Sequence, residues 1–205
     1  VTGEVWPSFD VRIDMLREAV ALMRELFTGR TVDHRGEFFT VDDARLWTVP
    51  DEPVPVWMSG FGEKATRVAA DIADGYVTTS PDQEMRSLFS ELSGGKPSSA
   101  GLKVAWAPTS DEGVDHAHRL WANAGLPGEL AQVLPSPHHF EQASQLVTRE
   151  STAESVVAGN DVEEHVQAVQ EYADAGFDEL YVSNIGPHWR EMIAFYGEHV
   201  VPKVS

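Results

Sequence analysis

Four short apolar runs, each bounded by turn-forming residues, alternate with stretches of helical periodicity, and this alternation restricts the possible folds more than any other feature. The runs are VPVWMSG (54–60), YVTTS (76–80), LKVAWAP (102–108) and ELYVSNIG (179–186). Runs of this kind, apolar toward both faces, are typical of buried parallel strands. Between them, 63–73 sets Ala65, Val68, Ala69 and Ile72 on one side, and 111–123 does the same with Val114, Ala117, Leu120 and Trp121. A helix is also predicted over 82–93, another from an Asp161 cap to Gly176 with Val162, Val166, Val169 and Tyr172 inward, and a last one over 188–199. Strands alternating with helices imply βα units and a parallel sheet. An open doubly wound sheet and an arc of a (β/α)8 barrel both fit. A whole barrel takes roughly 250 residues and eight strands. Four strands in 205 residues predict an α/β chain holding half of a TIM-type barrel.

Ahead of the first strand, Phe9, Ile13, Leu16, Val20, Met23 and Phe27 recur at helical spacing, with Ser8 as N-cap and Gly29 as stop. A hairpin-like stretch, Thr31 to Phe39, turns around His34-Arg35-Gly36, and 41–53 reads as irregular. Residues 93–101 read as a loop and 124–160 as an irregular excursion of short helical pieces, so 1–205 is expected to be a single half-barrel domain.

The formal net charge of −18 repels phosphate backbones and anionic lipid, which argues against nucleic-acid and membrane partners. With no cysteine, disulfides, thiolate metal sites and cysteine nucleophiles are excluded. No apolar run approaches the ~20 residues that span a bilayer. VTGEVWPSFD lacks the basic and apolar regions of a signal peptide, so a soluble cytoplasmic protein is expected.

The stretch GEVWPSFDVRIDMLREAVALMRELFTGRTVDHRGEFFTVDDARLW, followed by VPVWMSGFGEKATRVAADIADGYVTTS, resembles the bacterial luciferase-like superfamily. It is most similar to the coenzyme-F420-dependent glucose-6-phosphate dehydrogenase-like group, and AVQEYADAGFDELYVSNIG is similar to that group's last helix–strand pair. The resemblance implies that this chain is the C-terminal half of such a barrel. It also implies that the catalytic histidine, tryptophan and glutamate lie on the other half, so no catalytic residue is assigned here.

Two local sites stand out. At Ser59-Gly60-Phe61-Gly62-Glu63-Lys64 a strand ends in a glycine-rich turn that opens a helix. Backbone N–H groups there meet the positive end of the helix dipole and can hold a phosphate, to which Lys64 could add a charge-assisted bond. The same pattern also suits an ordinary βα turn; the resemblance favours the cofactor's phosphodiester tail. Thr79-Ser80 ends the second strand, on the face where barrel active sites lie, and the resemblance assigns Thr79 to substrate binding; a helix-capping pair is the alternative. The group's sugar-phosphate enzymes carry a lysine just beyond this threonine, whereas Pro81-Asp82 stand here; their second lysine falls near Ala131 and their arginine near Ser155. A dianionic phosphate needs cations, so glucose 6-phosphate is not expected as substrate.

No metal site is expected. His116 and His118 face different sides of a helix, and His138-His139 sit in a proline-rich loop. Trp57, Trp106 and Trp121 are expected in the core. The function expected is hydride transfer between coenzyme F420 and a small alcohol- or aldehyde-type substrate. The alternatives are an FMN-dependent luciferase-like monooxygenase and a catalytically silent half-barrel serving binding or assembly. Val56 and Val182, taken as barrel-interior residues, would be uncovered in half a barrel. The expected partner is therefore the missing N-terminal half or a second copy, as a homo-oligomer.

Overall fold

The computed structural model describes residues 5–128 and 130–204. Gly3 and Glu4, which begin the first motif quoted above, and Glu129 of the excursion lie outside the described residues. The chain forms two compact units, Val1–Thr78 with Glu84–Ser98, and Thr79–Gln83 with Ser99–Ser205.

The first unit opens with helix α1 (Phe9–Leu26), whose Ser8 cap accepts from the Val11 N–H at 3.5 Å. Of its apolar stripe Val20 is buried, joined by Leu22, whereas Phe9, Leu16 and Met23 stay exposed. Strands β1 (Val32–Arg35) and β2 (Thr40–Ala44) pair antiparallel, so the segment predicted as irregular begins with a strand. A distant carboxylate fixes this hairpin. Glu18 accepts the N–H groups of Glu37, Phe38 and Phe39 at 3.1, 3.1 and 2.9 Å, a contact that local sequence does not reveal. Its side chain also meets His34 Nε2 at 2.8 Å; this bond first, then the backbone donors, holds the Glu18 carboxyl below its ordinary range.

Strand β3 (Trp57–Ser59) leads through helix α2 (Glu63–Ile72) to strand β4 (Gly75–Thr78) and helix α3 (Gln83–Ser93). β3 and β4 are parallel, with Met58 opposite Tyr76. Trp57 corrects one expectation, being 37% exposed rather than core. Its ring lies over Gly75, where a Cβ would stand 2.5 Å from it. The core beneath is made by Tyr76 stacked on the fully buried Phe89 with ring centroids 5.0 Å apart.

The second unit contains strand β5 (Ser98–Val104), helix α4 (Ser110–Trp121), the short helices α5 (Leu130–Val133), α6 (Pro137–Ser144) and α7 (Arg149–Ser155), helix α8 (Val162–Asp174), strand β6 (Glu179–Asn184) and helix α9 (Trp189–Phe195). β5 starts inside the segment predicted as loop. Ser98, Ser99 and Ala100 read as turn residues, yet all three are buried, and Ser99 begins the parallel register with Glu179 that ends at Val104 opposite Asn184. The excursion consists of the short helices expected. Asp161 caps α8 through the N–H groups of Glu163 and Glu164 at 2.9 and 3.2 Å.

The core of this unit gathers Val104, Trp106, Met192, Tyr196 and Val200, and Val182 packs against it. Val182 is therefore not on the uncovered face expected for it. The period of two along β6 instead leaves Tyr181 66% exposed. Trp106 is buried as expected, whereas Trp121 is 41% exposed, a second correction to the tryptophan assignment. No described helix is long and apolar enough to cross a membrane.

Candidate functional site

The turn after β3 belongs to the first unit. Gly60 is buried because the chain doubles back tightly: a Cβ there would sit 3.0 Å from Ala65 C and Thr66 N. Gly62 is the N-cap of α2 and offers no side-chain hydrogen bond to the first turn; a Cβ built on it meets nothing within 4 Å. The first turn of α2 thus has no side-chain cap and there is open space beside Gly62; a helix start of this kind can accept an anion through backbone donors. Charged side chains here are already engaged with one another. Glu63 takes two bonds from Arg67, at 2.9 and 2.8 Å, and Lys64 Nζ lies 3.8 Å from Asp10. Phe61 is 62% exposed, a large apolar surface beside the turn. Ser59 is exposed at the end of β3. The six residues singled out from the sequence thus span the end of β3, the turn itself and the first two residues of α2.

The second site lies wholly in the second unit. Thr79 follows the end of β4 and lines a cavity of about 310 Å³ together with Lys103, Trp121, Thr152, Ser155 and Tyr172. The Tyr172 hydroxyl donates to the Thr79 carbonyl at 3.2 Å and so ties α8 to this segment. Burial, and secondarily the charge of Glu171, pushes the Tyr172 phenol above its ordinary value, so it remains a neutral donor near neutral pH. Lys103 is the single cation among the described lining residues, and its Nζ sits 4.9 Å from the centre of the Trp121 ring. Ser80 is not among the lining residues.

Sequence inspection singled out Thr79 but not Lys103 or Thr152, and it placed Trp121 and Tyr172 in the core. These residues stand far apart in the chain and meet only through the packing of α4, α7 and α8. A further constellation was also missed. Glu112, His116 and His188 each offer one ligand atom, and these atoms all lie within 4.8 Å of one another. The spacing of Glu112 and His116, four residues on one helix face, was a visible signal; His188 was not.

These elements define an α/β fold of the (β/α)8-barrel type, as comparison with solved structures bears out. A structure described as an F420-dependent secondary alcohol dehydrogenase in complex with an F420–acetone adduct superposes with a TM-score of 0.82 at 28% identity, over 100% of this chain and 65% of that one. A coenzyme F420-dependent tetrahydromethanopterin reductase from Methanopyrus kandleri shares the fold, with a TM-score of 0.68 at 16% identity, over 94% of this chain and 64% of that one. The profile of the luciferase-like monooxygenase family matches residues 2–179, and the chain belongs to that family. Proteins named F420-dependent glucose-6-phosphate dehydrogenase are similar to it. The one from Microbacterium testaceum is 29% identical, over 98% of this chain and 64% of its own length. The one from Nakamurella multipartita is 30% identical, over 98% and 63%. The chain thus spans somewhat under two thirds of the curated relatives it matches.

Proposed function

We propose that the full-length protein is an oxidoreductase that moves a hydride between coenzyme F420 and a small alcohol or its carbonyl partner. When bound, F420 supplies or accepts the hydride. The part of this chain is to bind and orient. Gly60 and Gly62 open the turn after β3, and the N–H groups at the start of α2 hold the phosphodiester of the cofactor tail. Ser59, Phe61, Glu63 and Lys64 flank it, with Arg67 neutralising the Glu63 carboxylate that would otherwise repel the anion. Thr79, Trp121 and Tyr172 form the wall against which the substrate rests, with Ser80 behind Thr79 in the chain.

The observation that carries the substrate class is the cavity at Thr79. At about 310 Å³ it stands at the small end of ligand pockets, which run from roughly 300 to 1,000 Å³. Its one described cation, Lys103, already rests on the Trp121 ring, and Pro81-Asp82 follow where a phosphate would need positive charge. Relatives named for glucose 6-phosphate and a neighbour named for secondary alcohols are about equally similar; the scarcity of cations favours the second.

Gly62→Asp tests the cofactor turn. It sets a carboxylate at a position with open space around it, so the fold tolerates it while the anion is repelled. F420 affinity, measured by fluorescence titration, should fall at least about tenfold, the effect of roughly 1.4 kcal/mol. An unchanged dissociation constant, or tight binding of FMN instead, would overturn the assignment.

We further propose that residues 1–205 act as one C-terminal half-barrel completed by further strands, from the rest of a longer chain or from a second copy. The exposed Tyr181 face of β6 supports this, since a parallel sheet is normally covered on both sides. A well-folded 22.6 kDa monomer of residues 1–205, stable at low concentration in light scattering, would refute it.

A further inference from the structure

We propose that Glu112, His116 and His188 form a binding site for one divalent transition-metal ion of the zinc type. Two of the donors are fixed by local structure. Thr109 caps α4 by accepting the Glu112 N–H at 3.3 Å, and Glu112 and His116 then stand one turn apart on the same face. The third arrives from the turn after β6. Gly186, at φ +120°, lets that turn press against the His116 ring, where a Cβ would lie 3.2 Å away. Two residues later the chain delivers His188.

The separations suit a metal. Glu112 Oε1 lies 2.9 Å from His188 Nε2 and 3.5 Å from His116 Nε2. Zinc bonded tetrahedrally at about 2.0–2.1 Å holds its ligand atoms roughly 3.3–3.4 Å apart. These two separations bracket that spacing, and all three ligand atoms lie within 4.8 Å of one another. His116 supplies an independent indication. Its Nε2 is buried and makes no hydrogen bond of good geometry, meeting the Glu112 carboxylate only at 3.5 Å, a poorly satisfied state for a buried polar atom. A metal at the centre of the triad would satisfy it. Two imidazoles and one carboxylate select zinc-like ions over magnesium or calcium, which take oxygen ligands. Three protein ligands leave one tetrahedral position for water. The net charge of −18 further favours cation binding.

Two contacts must change when the ion binds. The Glu112 carboxylate can only accept, so at 2.9 Å it takes a hydrogen bond from His188 Nε2–H, and that nitrogen must give up its proton and this bond to hold the ion. His116 Nδ1 faces an Arg119 guanidinium nitrogen at 3.4 Å. With metal on Nε2, Nδ1 carries the proton and can no longer accept from Arg119, so this exposed side chain must rotate away. Removing it therefore takes away an obstacle and a nearby positive charge.

The full-length protein, stripped with a chelator, is titrated with Zn²⁺ by calorimetry and with Co²⁺ by visible absorption. One ion per chain is expected, together with a zinc-dependent rise in Tm. His188→Ala and Glu112→Gln should each weaken binding by at least about 100-fold, since even residues that only orient a ligand cost roughly 10–100-fold when removed. The double variant His138→Ala/His139→Ala should bind as the parent does, and Arg119→Ala as tightly or more tightly. Far-UV circular dichroism establishes that each variant is folded. Absence of stoichiometric binding, an unchanged Kd in His188→Ala, loss of binding in the His138→Ala/His139→Ala variant, or weaker binding in Arg119→Ala would each overturn the site. If His188→Ala does not fold, Glu112→Gln and Arg119→Ala still decide.

Discussion

His165 has no exposed surface, and both of its ring nitrogens are engaged: Nε2 meets the Gly159 carbonyl at 3.1 Å and Nδ1 meets the Tyr196 hydroxyl at 2.8 Å. A carbonyl can only accept, so Nε2 carries the hydrogen and Nδ1 accepts from Tyr196. Tyr196 is itself buried, and burial pushes its phenol pKa up, which keeps the donor in place. The pair locks α8 to the C-terminal helical segment that completes the core of the second unit. Tyr196→Phe keeps the edge-on ring contact with His165, at 5.3 Å between centroids, and removes the hydroxyl alone. It leaves the Nδ1 lone pair buried without a donor, which costs about 1–3 kcal/mol. Over roughly 150–250 residues the loss corresponds to a Tm lower by about 2–12 °C, and by proportionally less in the longer full-length protein. Urea and thermal unfolding of the full-length protein measure it, and a cycle with His165→Leu isolates the pair. In that cycle the double variant should lose less than the sum of the singles, because no orphaned partner remains. A Tm for Tyr196→Phe within about 1 °C of the parent, or strict additivity in the cycle, would refute the buried hydrogen bond.

Burial lowers the pKa of His165, so the folded state binds its proton less readily than the unfolded chain. Its contribution to stability is complete above the unfolded value near 6.5 and declines as pH falls below it, by up to about 1.4 kcal/mol per pH unit. Urea midpoints should fall between pH 6.5 and 5 in the parent and stay flatter in His165→Leu; equal slopes would show that another group is responsible. In the cavity at Thr79, Trp121→Ala removes an apolar wall and the aromatic face that holds Lys103. It should raise KM roughly tenfold for a small alcohol while kcat changes little, as expected for contacts shared by ground and transition states. A fall in kcat with KM unchanged would move Trp121 out of the binding wall.

Element type was legible wherever apolar periodicity and turn chemistry agreed. α1 starts at the Ser8 cap, α8 at the Asp161 cap, β3 lies within its predicted segment, and β4 overlaps its own but starts one residue ahead of it, at Gly75. The misses have one cause, tertiary partners that local sequence does not name. β5 begins in serines, the second of which, Ser99, opens the register with β6, and β2 follows a turn that Glu18 grips. Val182 was assigned to the wrong face, since alternation along a strand gives two sets of residues and only packing tells which set meets the helices.

Legibility of the sites follows from chain distance in the same way. The turn at 59–64 could be found because its residues are consecutive in sequence and Gly60 is needed for its tight return, where a Cβ would press on the Ala65 and Thr66 backbone. The cavity at Thr79 draws on β5, α4, α7 and α8, so one residue of it was recognised and its wall was not. The histidine cluster is the most instructive case. Glu112 and His116 announce a shared helix face, but two ligands do not make a metal site. The third depends on where β6 ends relative to α4, and on a left-handed turn at Gly186 that only a residue without a Cβ can make beside the His116 ring. A site of this kind follows from register, and register becomes readable once the strands have been paired.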